Sequence, residues 1–519
     1  MQANKKPKIF LIDISSSIMV EVALKLMENS FDIAYWTGRN KVFNDMSKNK
    51  EKFPKTIFHS FYDAAQGKPA KEIDCSKFEP IGKELIQEML ECESITLSML
   101  TRMDWSNIPF LKKKHLYYKY LWYWDGLIKT LKPDMIIFRS IPHAGYNYVV
   151  YCLAKKYNIK TIMFETFVME DRLMIIRDYK KSFEDVRDIY NKIKNEKHSV
   201  DELEHGNQLI LKKLVNLKND ITQDYVKKQV SKAKTGIKSI PSIKKIIKNI
   251  KSGNFIPVCK YHIKSLLGLT SKVIHTIDED DKTDYRNIYQ LKKIKKIKEK
   301  YKKEYFSLQS EPDFNKKYIY FPLHYQPECN TSPMADHFAD QILMIKILSS
   351  AIPSDWKIYV KENILQWNDY NPQPHLYRYN GYYKEIASLK NVSLISPLIQ
   401  SKNLIDSSMA VSTATGTAGL EAVARGKPAL IFGYSWYMYC DGVFKISNIK
   451  TCKDVLEKII NGYKPNPQKV LNYFIAMEKS SIKGNHLEYR QRVNNFSIKE
   501  SVKNITNSII DEIKLINNK

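Results

Sequence analysis

The sequence predicts an α/β protein in which two Rossmann-like domains flank a lysine-rich helical insert. Strand and helix patterns alternate over residues 1–180 and again over 313–475, as in parallel sheets covered by helices. Between them, residues 181–312 are polar, basic and helical in pattern, without strands. With 519 residues and 43% hydrophobic content, the chain is long enough to fill two cores.

Two strand-helix-strand units make up the first domain. The strand KIFLIDI begins at Lys8 and is followed by the helix VEVALKLMEN and the strand FDIAYWTG. The second unit consists of PDMIIFRS (133–140), the helix YNYVVYCLAKKY (146–157) and IKTIMFET (159–166). Because consecutive strands joined by a helix pair in parallel, this order predicts a parallel sheet.

The second domain repeats this alternation. Its predicted elements are KKYIYFPL (316–323), a helix near 335–351, WKIYVKE (356–362), VSLISP (392–397), MAVSTA (409–414), a helix near 417–425 and PALIFG (428–433). Only helices are predicted after residue 433. We expect residues 476–519 to pack back on the N-terminal domain.

The chain has a net charge of +27, and its basic residues concentrate between about 180 and 310. In SIPSIKKIIKNIKSG, isoleucines recur at helical spacing while lysines fill the opposite face. Such a helix suits an anionic membrane surface, but a solvated helix or the lysine bias of an AT-rich genome accounts for the same pattern. No zinc-finger spacing or RNP-type motif accompanies the lysines, so no nucleic-acid partner is predicted. The lysines that would face a membrane are Lys244, Lys245, Lys248 and Lys251.

Membrane spans and metal sites are not predicted. No stretch approaches the roughly 20 uninterrupted apolar residues of a membrane span, so we expect a soluble, cytoplasmic protein. Seven cysteines are scattered without a CxxC pair, and no histidine cluster has ligand spacing. The nearest acidic run, DEDDKTD (278–284), falls in the insert. Reduced thiols and no catalytic or structural metal are therefore expected.

The stretch STATGTAGLEAVARGKPALIFG (412–433) places small and hydroxyl-bearing residues at a strand-to-helix turn. Backbone N–H groups at a helix N-terminus attract anions, which predicts a phosphate site, although packing alone also explains such glycines. Neither GxGxxG nor a P-loop is present, which argues against a dehydrogenase or an ATPase. Glu421 is placed to accept from a ribose diol or to cap the helix. The candidate donor contacts are Thr413, Thr415, Gly416, Thr417, Gly419 and Glu421.

Four segments together resemble a known family. They are YIYFPLHYQPECNTSP (318–333), DWKIYVKEN (355–363), NVSLISP (391–397) and VSTATGTAGLEAVARGKPALIFGYSWY (411–437). They resemble the capsule polysaccharide biosynthesis family, whose best-understood members are GT-B-type Kdo transferases. The resemblance implies that the C-terminal domain holds a nucleotide sugar, the N-terminal domain holds an acceptor, and transfer occurs in the cleft between them.

One departure from that family concerns the donor. Its members commonly read Lys-Glu-His-Pro where this chain has Lys361, Glu362, Asn363 and Ile364. Asparagine donates hydrogen bonds but carries no charge, so Lys361 is expected to supply the cation for the donor phosphate. The donor stays open between CMP-Kdo, another CMP-linked nonulosonic acid, and a UDP or GDP sugar.

The N-terminal domain must then supply the catalytic groups. His143 lies just past one predicted strand and Glu165 ends the next, and ligands bind beyond the carboxyl ends of such strands. Glu165 is predicted to act as general base or as nucleophile, and the resemblance to Kdo transferases favours the nucleophile. Capping by Glu165 and packing of His143 are the structural alternatives. Asp171 and Arg172 are weaker candidates, for catalysis and for substrate contacts respectively.

Two polar and aromatic loops complete the predicted site. His324, Tyr325, Gln326 and Glu328 follow a strand directly and are expected to contact donor or acceptor, unless they only shape a rigid interdomain loop. The aromatic residues of GYSWYMYCDG (433–442) either stack on a base or sugar or belong to the core.

Together these features predict a metal-independent glycosyltransferase that acts on a surface polysaccharide or lipid-linked glycan at the inner face of the cytoplasmic membrane. Its partners would be a nucleotide sugar, the acceptor and anionic lipid, with no other cofactor. A nucleotide-sugar epimerase, an alditol-phosphate transferase and a non-catalytic polysaccharide-binding protein are the alternatives.

Overall fold

The computed structural model describes most of both predicted domains. It covers residues 6–215 except 50, 105–107, 170 and 182, the dipeptides 272–273 and 284–285, and residues 288–517 except 327, 368–376 and 488–495. The four lysines from Lys244 to Lys251, and most of the insert around them, lie outside the described residues. The membrane-facing helix therefore stays a prediction.

The first sheet has the strand order β16-β6-β5-β4-β1-β2-β3. Its strands are β1 (Lys8–Ile12), β2 (Asp32–Gly38), β3 (Ile57–Ser60), β4 (Met135–Phe138), β5 (Lys160–Thr166), β6 (Arg172–Ile176) and β16 (Ile482–Lys483). Strands β1 to β5 pair in parallel, whereas β6 is antiparallel to β5 and to β16.

The helices of this half cover the sheet on both faces. They are α1 (Ser17–Glu28), α2 (Asn40–Ser47), α3 (Phe61–Ala65), α4 (Lys83–Glu88), α5 (Leu90–Met103), α6 (Phe110–Leu131), α7 (Tyr146–Lys156), α8 (Glu184–Ile193) and α9 (His205–Val215). Helix α1 begins where the Ser16 side chain accepts a hydrogen bond from the Met19 N–H, which satisfies one otherwise unpaired donor of the first turn.

The second sheet is parallel throughout and has the order β15-β14-β13-β10-β11-β12-β9. Its strands are β9 (Gln309–Ser310), β10 (Tyr318–Pro322), β11 (Lys357–Lys361), β12 (Val392–Ile395), β13 (Ala410–Thr413), β14 (Ala429–Ile431) and β15 (Val443–Lys445). Helices α10 (Ile288–Leu308), α11 (Gln341–Ala351), α12 (Tyr382–Ala387), α13 (Ser401–Ser407), α14 (Ala418–Ala424) and α15 (Ile449–Ile460) accompany it.

The C-terminal segment returns to the first sheet. Helix α16 (Pro467–Ser480) packs against α8, and strand β16 then pairs with β6 through Ile482 and Leu173. Helix α17 (Ile498–Asn517) packs against α1, and its Ile505 and Ile509 are fully buried. The last residues of the described chain therefore complete the core of the N-terminal half.

These observations confirm the predicted α/β class with two Rossmann-like sheets. The expectation of helices alone after residue 433 was wrong, because β15 and β16 lie there. The insert was predicted without strands, but β9 and the antiparallel pair β7 (Lys272–Val273) and β8 (Asp284–Tyr285) fall within it. Strands of two or three residues are too short to show an alternating pattern, and pairing with a neighbour decides their conformation. Among the described residues, no helix is long and apolar enough to span a membrane.

The order of strands reverses once in each sheet. From β1 the chain proceeds to β2 and β3 on one side, whereas β4 lies on the other side; β10 is likewise followed by β11 and β12 on one side and flanked by β13 on the other. The crevice beyond the carboxyl ends of such strand pairs is where open α/β sheets bind ligands. We call these places the first and the second switch point.

The two halves meet at their carboxyl edges. Phe167, just past β5, lies with its ring centroid 6.0 Å from that of Trp436, which follows β14. Tyr179 and Tyr434 form a second contact at 5.8 Å, and the Tyr439 hydroxyl donates to the Lys181 carbonyl. The aromatic residues of 433–442 thus take part in an interdomain core, the second of the two roles considered for them.

Candidate active site

The second switch point is closed by a buried histidine. His324 follows β10, and its Nε2 lies 2.9 Å from the Thr413 hydroxyl at the end of β13. The same nitrogen accepts the backbone N–H of Ala414 at 3.1 Å, so the ring proton resides on Nδ1. Burial, followed by the nearby Arg378 charge, lowers the pKa of His324 to about 4. A neutral imidazole therefore supports the turn after β13.

The glycines of this turn make room for protein atoms. A Cβ on Gly416 would lie 2.8 Å from the Thr413 hydroxyl and 3.2 Å from the His324 ring. A Cβ on Gly419 would lie 2.5 Å from the Tyr437 hydroxyl, which itself donates to the Gly416 carbonyl. Close packing thus accounts for both glycines.

The threonines of the turn differ in what they contact. The Thr413 hydroxyl also accepts the Gly416 N–H, and the Thr415 hydroxyl donates to the Asn330 carbonyl at 2.8 Å. Thr417 is exposed, and its side chain makes no capping hydrogen bond to α14. Of the three hydroxyls predicted to face a phosphate, Thr417 is the one that lies at the surface.

An ion pair that sequence reasoning missed lies beside His324. Arg378 donates to both carboxylate oxygens of Glu362, at 2.7 and 3.1 Å, and both side chains are fully buried. The Tyr383 hydroxyl donates to the same carboxylate at 2.6 Å. No spacing in the sequence links Arg378 to the end of β11, so only the fold reveals this pair.

Arg378 also binds the loop after β10. Its guanidinium donates to the His324 carbonyl at 3.2 Å and to the Gln326 side chain at 2.9 Å. Gln326 is buried and further bonded to Gln341 and to the backbone carbonyl of Ala339. The side chains of His324 and Gln326 therefore hold this loop in place rather than facing solvent.

Other candidates around the second sheet lie nearer the surface. Tyr325 and Glu328 are half-buried, and Glu421 is half-buried in the first turn of α14. The Asn363 side-chain oxygen accepts the Leu365 N–H. Lys361 directs its ammonium to the Ile399 carbonyl at 2.9 Å and the Ser401 hydroxyl at 2.7 Å, at the start of α13.

In the first sheet, His143 lies beyond the carboxyl end of β4, and Glu165 lies at the end of β5. Both are half-buried, and the His143 Nδ1 lies 2.7 Å from the Ile141 carbonyl, to which it donates. Side chains alternate along a strand, so Glu165 shares the face of Met163, which belongs to the core that also contains Phe167 and Trp436. Glu165 therefore lies on the face of the sheet that packs against this core, near the edge where Phe167 contacts Trp436.

Asp171 and Arg172 instead fasten the C-terminal segment. The Asp171 carboxylate accepts the Asn485 amide at 2.9 Å, and its carbonyl accepts the Gly484 N–H. Arg172 pairs with Glu204 at 2.8 Å and donates to the Glu478 carbonyl. Asp171 thus joins β6 to the chain that follows α16, and Arg172 joins β6 to α16 and to Glu204.

Three charged residues at the first switch point were not singled out from the sequence. Asp13 directly follows β1, Arg39 follows β2 and Arg139 follows β4. Arg39 Nε lies 3.6 Å from one Asp13 oxygen, and Arg139 lies 3.9 Å from the other. Their positions directly after three neighbouring strands are the signal that could have found them.

One group of described side chains could converge on a metal ion. Glu91, Asp336 and His337 each offer a ligand atom, and these atoms lie within 4.8 Å of one another. Glu91 and His337 are exposed, and Glu91 also pairs with Lys180. Glu91 lies in α5, whereas Asp336 and His337 lie in a 3-10 helix (Asp336–Ala339) of the connection from β10 to α11 that also carries His324.

Residues 266–446 match the family described as capsule polysaccharide biosynthesis protein. The match covers about a third of the chain. The matched residues include β10 to β15 and hence the whole second switch point. The first sheet, with Asp13 and Glu165, lies before the matched segment. No curated protein sequence matches the chain.

Several solved structures are similar to this chain at low sequence identity. KpsC, a beta Kdo 2,7 transferase of Thermosulfurimonas dismutans, is 11% identical with a TM-score of 0.28, covering 74% of this chain and 88% of that one. A glycosyltransferase of Rickettsia africae is 13% identical with a TM-score of 0.24, covering 98% and 99%. The UDP-GlcNAc 2-epimerase of Methanocaldococcus jannaschii is 11% identical with a TM-score of 0.23, covering 91% and 99%.

Proposed function

We propose that this protein is a glycosyltransferase that moves a sugar from a nucleotide-sugar donor to a surface polysaccharide or a lipid-linked glycan. The observation that carries the proposal is the capsule-family match over residues 266–446, which contains the second switch point. The donor is Kdo or another ulosonic acid carried on CMP, with UDP and GDP sugars as the alternatives to be tested.

The donor would bind at the rim of the second switch point. Thr417 is exposed there, and Asn363 still has its amide N–H groups to donate, because its oxygen caps the next turn. Tyr325, Glu328 and Glu421 are the half-buried side chains of the same loops and helix start. The buried network of His324 and Arg378 would hold these groups in place, which reduces the entropy lost when the donor binds.

Glu165 is the carboxylate we propose for catalysis. It lies at the end of β5, near the edge where Phe167 contacts Trp436 of the second half, and a base or nucleophile there could reach a donor held by the other domain. His143, which follows the neighbouring strand β4, is the second candidate. Asp171 is a weaker one, because its carboxylate is held by Asn485.

Metal independence and membrane association are parts of the same proposal. If Glu91, Asp336 and His337 held a required ion, chelation with EDTA would abolish transfer and Mg²⁺ or Mn²⁺ would restore it. If Lys244, Lys245, Lys248 and Lys251 bind anionic lipid, replacing all four by Glu should abolish co-sedimentation with anionic liposomes. Transfer to a short soluble acceptor should persist in that variant.

The deciding experiment measures nucleotide release with and without acceptor. CMP-Kdo, UDP-GlcNAc and a GDP-sugar are each incubated with the full chain, alone and with a short capsule oligosaccharide. Acceptor-dependent release of one nucleotide supports the proposal. Conversion of the sugar without acceptor would identify an epimerase, and binding of glycan without nucleotide release would identify a polysaccharide-binding protein.

A further inference from the structure

The first switch point carries two arginines around one carboxylate. Asp13, Arg39 and Arg139 directly follow β1, β2 and β4, and the reversal of strand order lies between β1 and β4. All three therefore surround the crevice in which a parallel α/β sheet binds its ligand. The proposed donor site occupies the corresponding crevice of the other sheet.

The contacts in this cluster are longer than hydrogen bonds. Arg39 and Arg139 approach opposite oxygens of Asp13 at 3.6 and 3.9 Å, whereas Arg378 and Glu362 in the other half are joined at 2.7 and 3.1 Å. One Asp13 oxygen and the Arg139 Nε are buried and make no hydrogen bond to another described residue. Asp13 thus lies near both guanidiniums without occupying their donors.

Positive charge exceeds negative charge in the cluster. Asp13 is the acidic group within 4.0 Å of either arginine among the described residues, so two guanidiniums share one carboxylate. Neither guanidinium donates a hydrogen bond to a described residue, and their side chains are 36% and 34% exposed. Each guanidinium carries five N–H donors whose planar arrangement matches carboxylate and phosphate oxygens.

The arginines are held in position by their surroundings. The backbone N–H of Arg39 donates to the Ser15 hydroxyl at 2.8 Å, and the Arg39 guanidinium lies 4.2 Å from the centre of the Phe61 ring. The Arg139 N–H donates to the Ile12 carbonyl at 3.1 Å. Asp13 adopts a left-handed φ of 56°, and burial raises its pKa despite the opposing charges of Arg39 and Arg139. An anchored backbone, and for Arg39 the Phe61 ring, reduce the ordering needed when these side chains bind an oxyanion.

We propose that Arg39 and Arg139 together bind an oxyanion of the acceptor, which is the carboxylate of an acidic sugar or the phosphate of a lipid-linked carrier. This inference rests on the proposed glycosyltransferase function, because it names the chemistry of the acceptor. It assigns the two ligands to opposite sheets: the nucleotide to the second switch point and the acceptor's charged group to the first.

The test compares anion binding in four forms of the full-length chain by calorimetry. These are the wild type, R39Q, R139Q and the control R187Q, whose arginine is partly exposed and pairs with Asp188. The probes are inorganic phosphate, glucuronate and neutral glucose, with CMP and UDP as a separate donor arm. If R139Q does not fold, R139K retains the charge but loses the planar fork, and it takes the place of R139Q.

We expect phosphate, glucuronate or both to bind the wild type, and R39Q and R139Q to weaken that binding about tenfold or more. Phosphate alone points to the lipid-linked carrier, and glucuronate alone points to an acidic sugar. Glucose should not bind, and R187Q should match the wild type. The inference is overturned if neither anion depends on these arginines, or if R187Q weakens binding equally.

Binding of CMP and UDP tests the proposed function independently of anion binding by the arginines. Nucleotide affinity should be the same in all four forms, because the nucleotide is assigned to the other sheet. A loss of nucleotide affinity in R39Q and R139Q would assign the arginines to the donor and overturn the inference. If no nucleotide binds any form, the proposed function fails while the result for the anions stands by itself.

Discussion

The two switch points have the same topology but differ in charge: one arginine pairs with one carboxylate at the second, whereas two arginines share one carboxylate at the first. At the second, a neutral histidine accepts the Ala414 N–H, and the Arg378 guanidinium is bonded directly to the buried Glu362 carboxylate. At the first, two partly exposed arginines lie more than 3.5 Å from their shared carboxylate and keep their donors open. The second crevice is therefore lined by a bonded polar network, whereas the first presents positive charge directly.

The first prediction concerns the stability that the ion pair at the second switch point provides. R378A removes the partner of the fully buried Glu362 carboxylate. We expect the free energy of unfolding to fall by about 3–5 kcal/mol, since a lone buried charge is strongly destabilising. Urea unfolding measures this, with K346A as the control, because its pair with Glu385 is exposed. A loss below about 1 kcal/mol would show that the pair does not hold the crevice closed.

The second prediction concerns pH and His324. Its folded pKa of about 4 lies below the ordinary value of 6.5, so the unfolded chain takes up a proton first as the pH falls. The stability that His324 contributes is complete above pH 6.5 and is lost between 6.5 and 4, on the order of 3 kcal/mol.

Unfolding free energies at pH 7 and pH 4.5 test this prediction. The variant H324Q should lose less stability between the two values than the wild type does. The exposed His337 provides the control, H337Q, which should keep the wild-type difference. His59, whose pKa burial lowers to about 4, is present in all three forms, so its contribution cancels. Equal pH dependence of H324Q and the wild type would contradict a buried neutral His324.

The third prediction separates chemistry on the first sheet from nucleotide binding on the second. E165Q keeps the shape of Glu165 but removes its charge, so turnover should drop by roughly a hundredfold or more. Nucleotide affinity measured by calorimetry should be unchanged. H143Q, which alters the neighbouring candidate, is the comparison variant. If E165Q turns over near the normal rate, Glu165 is not catalytic.

The last prediction concerns the packing of the glycine turn and has the smallest expected effects on stability. G416A places a Cβ 2.8 Å from the Thr413 hydroxyl, which should cost about 1–3 kcal/mol of stability. T417V changes an exposed side chain of the same turn and should alter stability by about 0.5 kcal/mol or less. Nucleotide affinity that falls in T417V would assign its hydroxyl to the donor. If G416A is as stable as the wild type, the turn is not closely packed.

Much of the fold could be read from the sequence because apolar periodicity reports local burial. The strands Lys8–Ile12, Lys160–Thr166 and Tyr318–Pro322 all lie within the predicted segments. Glu165 and His143 were placed correctly at the carboxyl edge, because parallel pairing of β4 and β5 follows from their order. Side-chain roles were harder to predict. His324 and Gln326 look like cleft residues in sequence, yet they are buried by Arg378, which lies more than fifty residues later.

The α/β class and the two sheets could be predicted from the sequence, because apolar patterns within short segments indicate them. The family resemblance also came from short segments, and residues 266–446 match that family. Which polar residues meet depends on the tertiary structure. Asp13, Arg39 and Arg139 come from three separate loops, and the strand order β4-β1-β2 brings them together. Arg378 likewise reaches both Glu362, which follows β11, and the His324 carbonyl in the loop after β10. The energy of a charge pair depends on the distance between the two charges in space. For residues on different loops, that distance follows from the strand order and not from their spacing along the chain.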